Sequence, residues 1–239
     1  MNTIKFNKKN CLMVAHRGCS GLEKENTNAA FVAAGNRSYY GIETDIHQTI
    51  DGQYVLFHDD TTKRVAIDNM VVEESTFETL RNLTLTDKDG VRGRTDLRMP
   101  TLEEYIGICK KYEKVAVLEL KNAFEKKKIY EICSKIEALD YMDNVIFISF
   151  CYDNLVYLRE KYPNQAAQFL ISTFPDDLID RLKAHNLDLD IRYTALDADK
   201  IKALHDNGIK VNCWTVDDPA AGEQLVEWGV DFITSNILE

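Results

Sequence analysis

The chain is poor in the residues and runs that mark several large classes of protein. It has only four prolines and eleven glycines in 239 residues and no low-complexity stretch, which sets it apart from disordered and fibrous chains. No run of about 18 apolar residues occurs, so no membrane-spanning helix is expected. The six cysteines (Cys11, Cys19, Cys109, Cys133, Cys151 and Cys213) form neither CxxC pairs nor a dense disulfide pattern, and they read as reduced thiols filling a core. Basic residues are few: 29 Lys and Arg stand against 39 Asp and Glu, a formal net charge of -10. Broad attraction to nucleic acid or to an anionic membrane surface is thereby excluded, and an anionic substrate must be drawn by local positive charge. The opening segment "MNTIKFNKKNCLMVAHRG" has too short an apolar stretch for a secretory signal, so a cytoplasmic location is expected.

What is present is a regular alternation. Apolar, β-branched runs alternate with stretches of helical period along the whole chain, as in parallel strands joined by crossover helices. Eight strand candidates can be counted: "CLMVAH" from Cys11, "GIETDIHQT" from Gly41, "VAVLELK" from Val115, "NVIFISF" from Asn144, "QAAQFLIS" from Gln165, "LDLDIRYTAL" from Leu187, "IKVNCWTV" from Ile209 and "GVDFITSN" from Gly229. Eight such units in one chain predict an α/β fold, a TIM (β/α)8 barrel, forming a single domain over residues 1–239. Helix starts are visible at Thr101 before "LEEYIGICKKY" and at Asp197 before "ADKIKALHDNG", the second stopping at Asn207-Gly208. Asp51-Gly52 followed by "QYVLFHD" signals a hairpin and an extra strand ending at His58. Residues 60–99, with one short helical stretch from Thr76 to Leu83, form an insertion after the second strand; it is expected on the face where barrel active sites lie, as a lid.

The chemistry gathers at strand ends. In "GIETDIH", Glu43 and Asp45 are two apart and so point to one side of a strand, toward the barrel interior. "VLELK" repeats the arrangement with Glu119 and Lys121. A Glu119–Lys121 salt bridge explains the second strand alone and leaves Glu43 and Asp45 without partners. Three carboxylates at adjacent strand ends repel one another unless a cation is present. An all-oxygen set suits one divalent cation, Mg2+ or Ca2+, better than zinc, which favours His or Cys. "VAHRG" and "VLFHDD" then place His16 and His58 at the same face as candidate general acid and base, with Arg17 and Lys121 as local positive charge for a phosphoryl group. His47 reads as a residue behind the ligands or in a loop, His185 and His205 as surface residues, and Trp228 as packing between helix and barrel. Phe150 is open to either pocket or core, and Cys19, beside the site, lacks the neighbours of a nucleophile.

The set "AHRG", "ENT", "GIETDIHQTIDG", "VLFHDDTTKR", "PTLEEYI", "LELK", "ISF" and "CWTVDD" resembles, in order and spacing from about Val14 to Asn236, the glycerophosphodiester phosphodiesterases. That resemblance implies a TIM barrel in which His16 and His58 perform acid-base catalysis and Glu43, Asp45 and Glu119 hold one divalent cation. Arg17 and Lys121 then contact phosphate, and Trp214 lines the pocket near the glycerol or leaving group. The implied substrate is a small glycerophosphodiester, cleaved through a cyclic phosphate to glycerol 3-phosphate and an alcohol. A lysophospholipase D acting on lysophospholipids and a barrel that only binds phosphodiesters are the alternatives. Lys24 replaces the proline usual before "ENT", and neither the leaving alcohol nor the oligomeric state is fixed by these residues.

Overall fold

A computed structural model describes residues 2–239. Short aliphatic runs form the strands: β1 (Leu12–Ala15), β2 (Gly41–Gln48), β3 (Tyr54–Leu56), β4 (Val115–Leu120), β5 (Val145–Ser149), β6 (Ala167–Ile171), β7 (Asp188–Arg192), β8 (Val211–Trp214) and β9 (Phe232–Ser235). All but β3 are parallel to their neighbours, in the order β1-β2-β4-β5-β6-β7-β8-β9, and β1 pairs with both β2 and β9. The sheet therefore closes on itself as the expected eight-stranded barrel. β3 is the exception: it lies antiparallel on the end of β2, Ile46 opposite Leu56, as the Asp51-Gly52 hairpin requires.

The helices are α1 (Asn28–Gly35), α2 (Phe77–Asn82), α3 (Leu102–Lys111), α4 (Lys126–Ala138), α5 (Tyr152–Lys161), α6 (Leu178–Ala184), α7 (Ala198–Asp206) and α8 (Pro219–Trp228). Their starts follow local chemistry. The Thr101 hydroxyl accepts from the Glu104 backbone N–H while the Glu104 carboxylate accepts from that of Thr101, a reciprocal cap. Asp197 caps α7 and Asp218 caps α8, where Pro219 occupies the first helical position, at which an N–H has no helical partner anyway.

Each barrel strand has two buried faces, so alternate residues serve two cores. Ile42, Leu118, Phe147, Leu189, Ile191 and Ile233 face the helices, while Val14, Val117, Ile146, Ile148, Leu170 and Phe232 fill the barrel. A third cluster, with Val55, Phe57, Val65, Val72, Leu80, Leu85, Leu97 and Met99, lies under residues 60–99. The insertion thus has its own apolar support, each fully buried aliphatic side chain contributing roughly 1.5–3 kcal/mol. It is pinned to the β1–α1 loop by Lys88 on the Ser20 carbonyl (2.9 Å) and by Arg94 on Glu23 (2.6 Å).

That loop turns through two successive left-handed residues. Arg17 has φ +53 and Gly18 φ +73, and a side chain on Gly18 would put its Cβ 2.7 Å from the Ala30 carbonyl carbon. Gly18→Ala should therefore lower stability by more than about 1 kcal/mol. A lower urea midpoint at unchanged slope is the expected result, and an unchanged midpoint would show that α1 simply yields.

Candidate active site

The β2–β4 register sets Asp45 directly beside Glu119 across the barrel wall, with Glu43 two residues below Asp45. All three carboxyls are buried and turned inward, and one oxygen from each lies within 4.8 Å of the other two. The sequence reading left Glu43 and Asp45 unpartnered; the structure corrects this. Glu43 Oε2 accepts the Arg17 backbone N–H (2.7 Å) and Asp45 Oδ2 accepts the Asn26 amide (2.8 Å). The left-handed Arg17 is held in place by that bond together with its own carbonyl accepting from Asn26 N (3.0 Å), strain of about 1–3 kcal/mol stored at the site.

Opposite charges surround the acids. Lys121 Nζ stands 3.1 Å from Glu119 Oε1 and 3.4 Å from Asp45 Oδ1, and Arg17 Nε is 4.0 Å from Asp45 Oδ2. The acids respond unequally. Burial pushes Asp45 up, but the Lys121, His58 and Arg17 charges and the Asn26 amide outweigh it and hold the carboxyl below its ordinary range. Burial, then the Asp45 charge, raises Glu119 to about 8; burial with Asp45 and Glu119 drives Glu43 well up.

Such a set fits a divalent cation. Asp45 Oδ1 is buried with no hydrogen bond, only the Lys121 ammonium 3.4 Å away, the donors are all hard oxygens, and a bound dication offsets the burial and mutual repulsion that raise Glu43 and Glu119.

The two histidines reach the same cavity with different backing. His16 follows β1, and its Nδ1 is 2.8 Å from Asn236 Oδ1. Asn236 is oriented by Ser20 Oγ donating to that oxygen (2.6 Å) and by its own amide donating to Asp217 (2.6 Å), so Nδ1 of His16 is the protonated nitrogen. His16 Nε2 faces inward, 4.0 Å from Glu43 Oε2. Burial, helped by the Arg17 charge, lowers its pKa to about 4. His58 follows β3 and has a carboxylate behind it, with Nδ1 2.6 Å from Asp59 Oδ1. Burial lowers His58 too, against the pull of Asp45 and Asp59. Asp59 is gripped by Arg64 (2.7 Å), which also binds Glu25 (2.5 Å), and Glu25 in turn holds the Arg17 guanidinium (2.8 Å).

The cavity between these groups measures about 100 Å³, and His16, Arg17, Glu43, His58 and Glu119 form one side of it. Ile148, Phe150, Leu170, Asp190, Trp214 and Thr234 form the other, so Trp214 stands where the sequence placed it and Phe150 belongs to the pocket rather than the core. Lys121 sits on the acids and is not part of the wall. No residue of 60–99 lines the cavity: the segment flanks the site and braces it through Arg64, rather than covering it as a lid. His47 turns to Glu73 of that segment (3.0 Å), away from the acids. His205 is exposed and pairs with Asp231, whereas His185 is half-buried and stacks on Tyr152, more than a bare surface residue. Cys19 is buried against Tyr39 with its thiol raised by burial, and Trp228 packs on the barrel core. Asn26, Asp59, Asn236 and Asp190 escaped the sequence reading as site residues. The first two lie inside quoted motifs, and only folding brings Asn236 and Asp190 to the site.

Comparison with known proteins agrees with this geometry. The sequence model of the "Glycerophosphoryl diester phosphodiesterase family" matches residues 16–238. The chain is 30% identical over 231 residues to the YhdW protein of Bacillus subtilis, covering 94% of this chain and 93% of that one. It is 28% identical to the glycerophosphodiester phosphodiesterase of Caldanaerobacter subterraneus subsp. tengcongensis, with 94% and 93% covered. Its fold superposes with a TM-score of 0.83 and 26% identity on a phosphodiesterase of Oleispira antarctica solved with the product sn-glycerol-3-phosphate, covering 95% and 93% of the two chains. With an acid cluster, two differently backed histidines and a match spanning nearly its whole length, the chain belongs to the glycerophosphoryl diester phosphodiesterase family and is a phosphoric diester hydrolase.

Proposed function

We propose that the protein, acting as one domain over residues 1–239, hydrolyses small glycerophosphodiesters in the cytoplasm, with His16 as the first general base and His58 as the first general acid. The different backing of the two imidazoles carries this assignment. A neutral amide holds the Nδ1 proton of His16 and leaves Nε2 as a free base, while the Asp59 carboxylate favours the proton on His58. His16 removes the proton of the glycerol hydroxyl next to the phosphodiester, that oxygen attacks phosphorus, and His58 protonates the departing alcohol. Water then opens the cyclic phosphate with the roles exchanged, giving glycerol 3-phosphate, the compound bound by the Oleispira antarctica relative. Arg17 and Lys121 draw the phosphate oxygens, and Trp214 supports the carbon skeleton. A divalent cation held by Glu43, Asp45 and Glu119 supplies, when bound, further positive charge to the phosphoryl group. Unpaired cysteines support the reducing compartment.

Three measurements test this reading. A diester lacking the neighbouring hydroxyl should still compete for the site yet turn over far more slowly, because a tethered nucleophile removes several kcal/mol of barrier and up to ~7–11 in well-oriented cases. Comparable rates by phosphorus NMR would mean that water attacks directly and that the cyclic route is wrong.

The backing of His58 predicts a pH effect. A general acid works below its pKa and fails as pH rises through it, and Asp59→Asn removes a bond that raises that pKa. The alkaline limb of the kcat profile should move to lower pH, and an unmoved limb removes Asp59 from this role.

Asp45→Asn should abolish calorimetric binding of Mg2+ or Ca2+, and with it EDTA-sensitive activity, while the barrel stays folded. Unchanged affinity would exclude Asp45 as a ligand.

A further inference from the structure

Asp190, in the middle of β7, is 2% exposed and lines the cavity on the side away from the acids. It stands between Leu170 of β6 and Asn212 of β8 in the strand register. The Asn212 side chain passes it by, donating to Gln168 Oε1 (3.0 Å) and accepting from Thr234 Oγ1 (3.1 Å). That polar group is satisfied without Asp190, whose Oδ1 has no hydrogen-bond partner. Among the described residues no cation pairs with it; Arg192, two residues on, packs against the Trp214 ring (5.7 Å) instead. A buried carboxyl left without a partner is costly, and its cost is recovered only when something in the cavity completes it.

We propose that Asp190 is a specificity-determining residue that hydrogen-bonds the terminal hydroxyl of the substrate's glycerol unit, selecting deacylated glycerophosphodiesters over their acylated counterparts. The inference rests on the reaction proposed above. The leaving alcohol must depart by the open side, where Phe150 is 44% exposed, whereas Asp190 is enclosed above the packed barrel core of Val14, Val117, Ile146 and Phe232. The glycerol unit is the part of the substrate that stays with the phosphate and needs no exit until the end. Burial raises the Asp190 carboxyl well above its ordinary range, so it offers both a donor and an acceptor, the complement of a hydroxyl. Ile148, Leu170 and Trp214 beside it suit the carbon chain. Esterifying that hydroxyl removes its donor and would set an acyl chain against a carboxyl that is only 2% exposed.

The test compares glycerophosphocholine, its analogue with the terminal hydroxyl replaced by hydrogen, and lysophosphatidylcholine, on wild type, Asp190→Leu and Asp190→Asn. Wild type should prefer glycerophosphocholine to the other two. Asp190→Leu should lose about 10- to 100-fold in kcat/KM on glycerophosphocholine, the scale of one buried hydrogen bond, and little on the deoxy analogue. Asp190→Asn, which still donates and accepts, should recover part of the loss. Retained turnover of the deoxy analogue by Asp190→Leu also shows that the variant is folded. An equal loss on both substrates, or none on either, overturns the assignment. Wild-type failure on glycerophosphocholine instead overturns the proposed function, and the inference falls with it.

Discussion

The constraint on which the site depends is the burial of three carboxyls together. Within 4.8 Å of each other, two charges in an effective dielectric of about 20 repel by at least roughly 3 kcal/mol, and Glu43, Asp45 and Glu119, when ionised, form three such pairs. The surroundings answer with charge in layers. Lys121 and Arg17 approach the acids, Glu25 offsets Arg17, Arg64 offsets Glu25, and Asp59 offsets Arg64. In this chain of ion pairs, five carboxylates face three permanent cations. With all five ionised the deficit is two charges, which is what a single divalent cation carries.

The same chain of pairs ends on His58. A charge arrangement that begins by compensating buried acids therefore also decides which imidazole has a carboxylate behind it. His16 lies outside it and is held by neutral Asn236, itself anchored by Asp217 and Ser20. Burial lowers the basicity of both rings, and at His58 the Asp59 carboxylate opposes it. The two rings differ in what stands behind each Nδ1, a neutral amide at His16 and a carboxylate at His58. Residues 60–99 enter at this point: Arg64 links Asp59 to Glu25, so an insertion that adds nothing to the cavity wall still positions a group on it.

Much of this was legible in the sequence because strand parity is simple. Two residues apart on a strand means the same side, which sufficed for Glu43 with Asp45, and the "HRG" and "FHD" tips placed both histidines at one end of the barrel. Asp190 was missed because "LDLDIR" alternates as cleanly as any half-exposed strand, where the polar side would face water. In a closed barrel the helices cover the outer side, so Leu189 and Ile191 face them and Asp190 must turn inward. Asn236 was missed for another reason. Its partner lies 220 residues away and meets it only because β9 pairs with β1 to close the barrel. Residues 60–99 follow the hairpin strand β3 and bury their apolar residues against one another, with none of them in the cavity wall.

The two sides of the cavity divide recognition from chemistry. The residues proposed to meet phosphate and to move protons come from β1, β2, β4 and the turns that follow them or β3, while the facing wall from β5 to β9 is aliphatic and aromatic apart from Asp190, Thr215 and Thr234. A leaving alcohol that runs out past the exposed Phe150 ring meets little that could discriminate among head groups. The proposed discrimination lies instead where the buried wall holds two unpartnered polar atoms, Asp190 Oδ1 and Trp214 Nε1, because an enclosed hydrogen bond is lost in full when its partner is absent, whereas at an open rim water replaces it. Under the proposed assignment, a site built this way is exacting toward the part of the diester that remains with the phosphate and permissive toward the part that leaves.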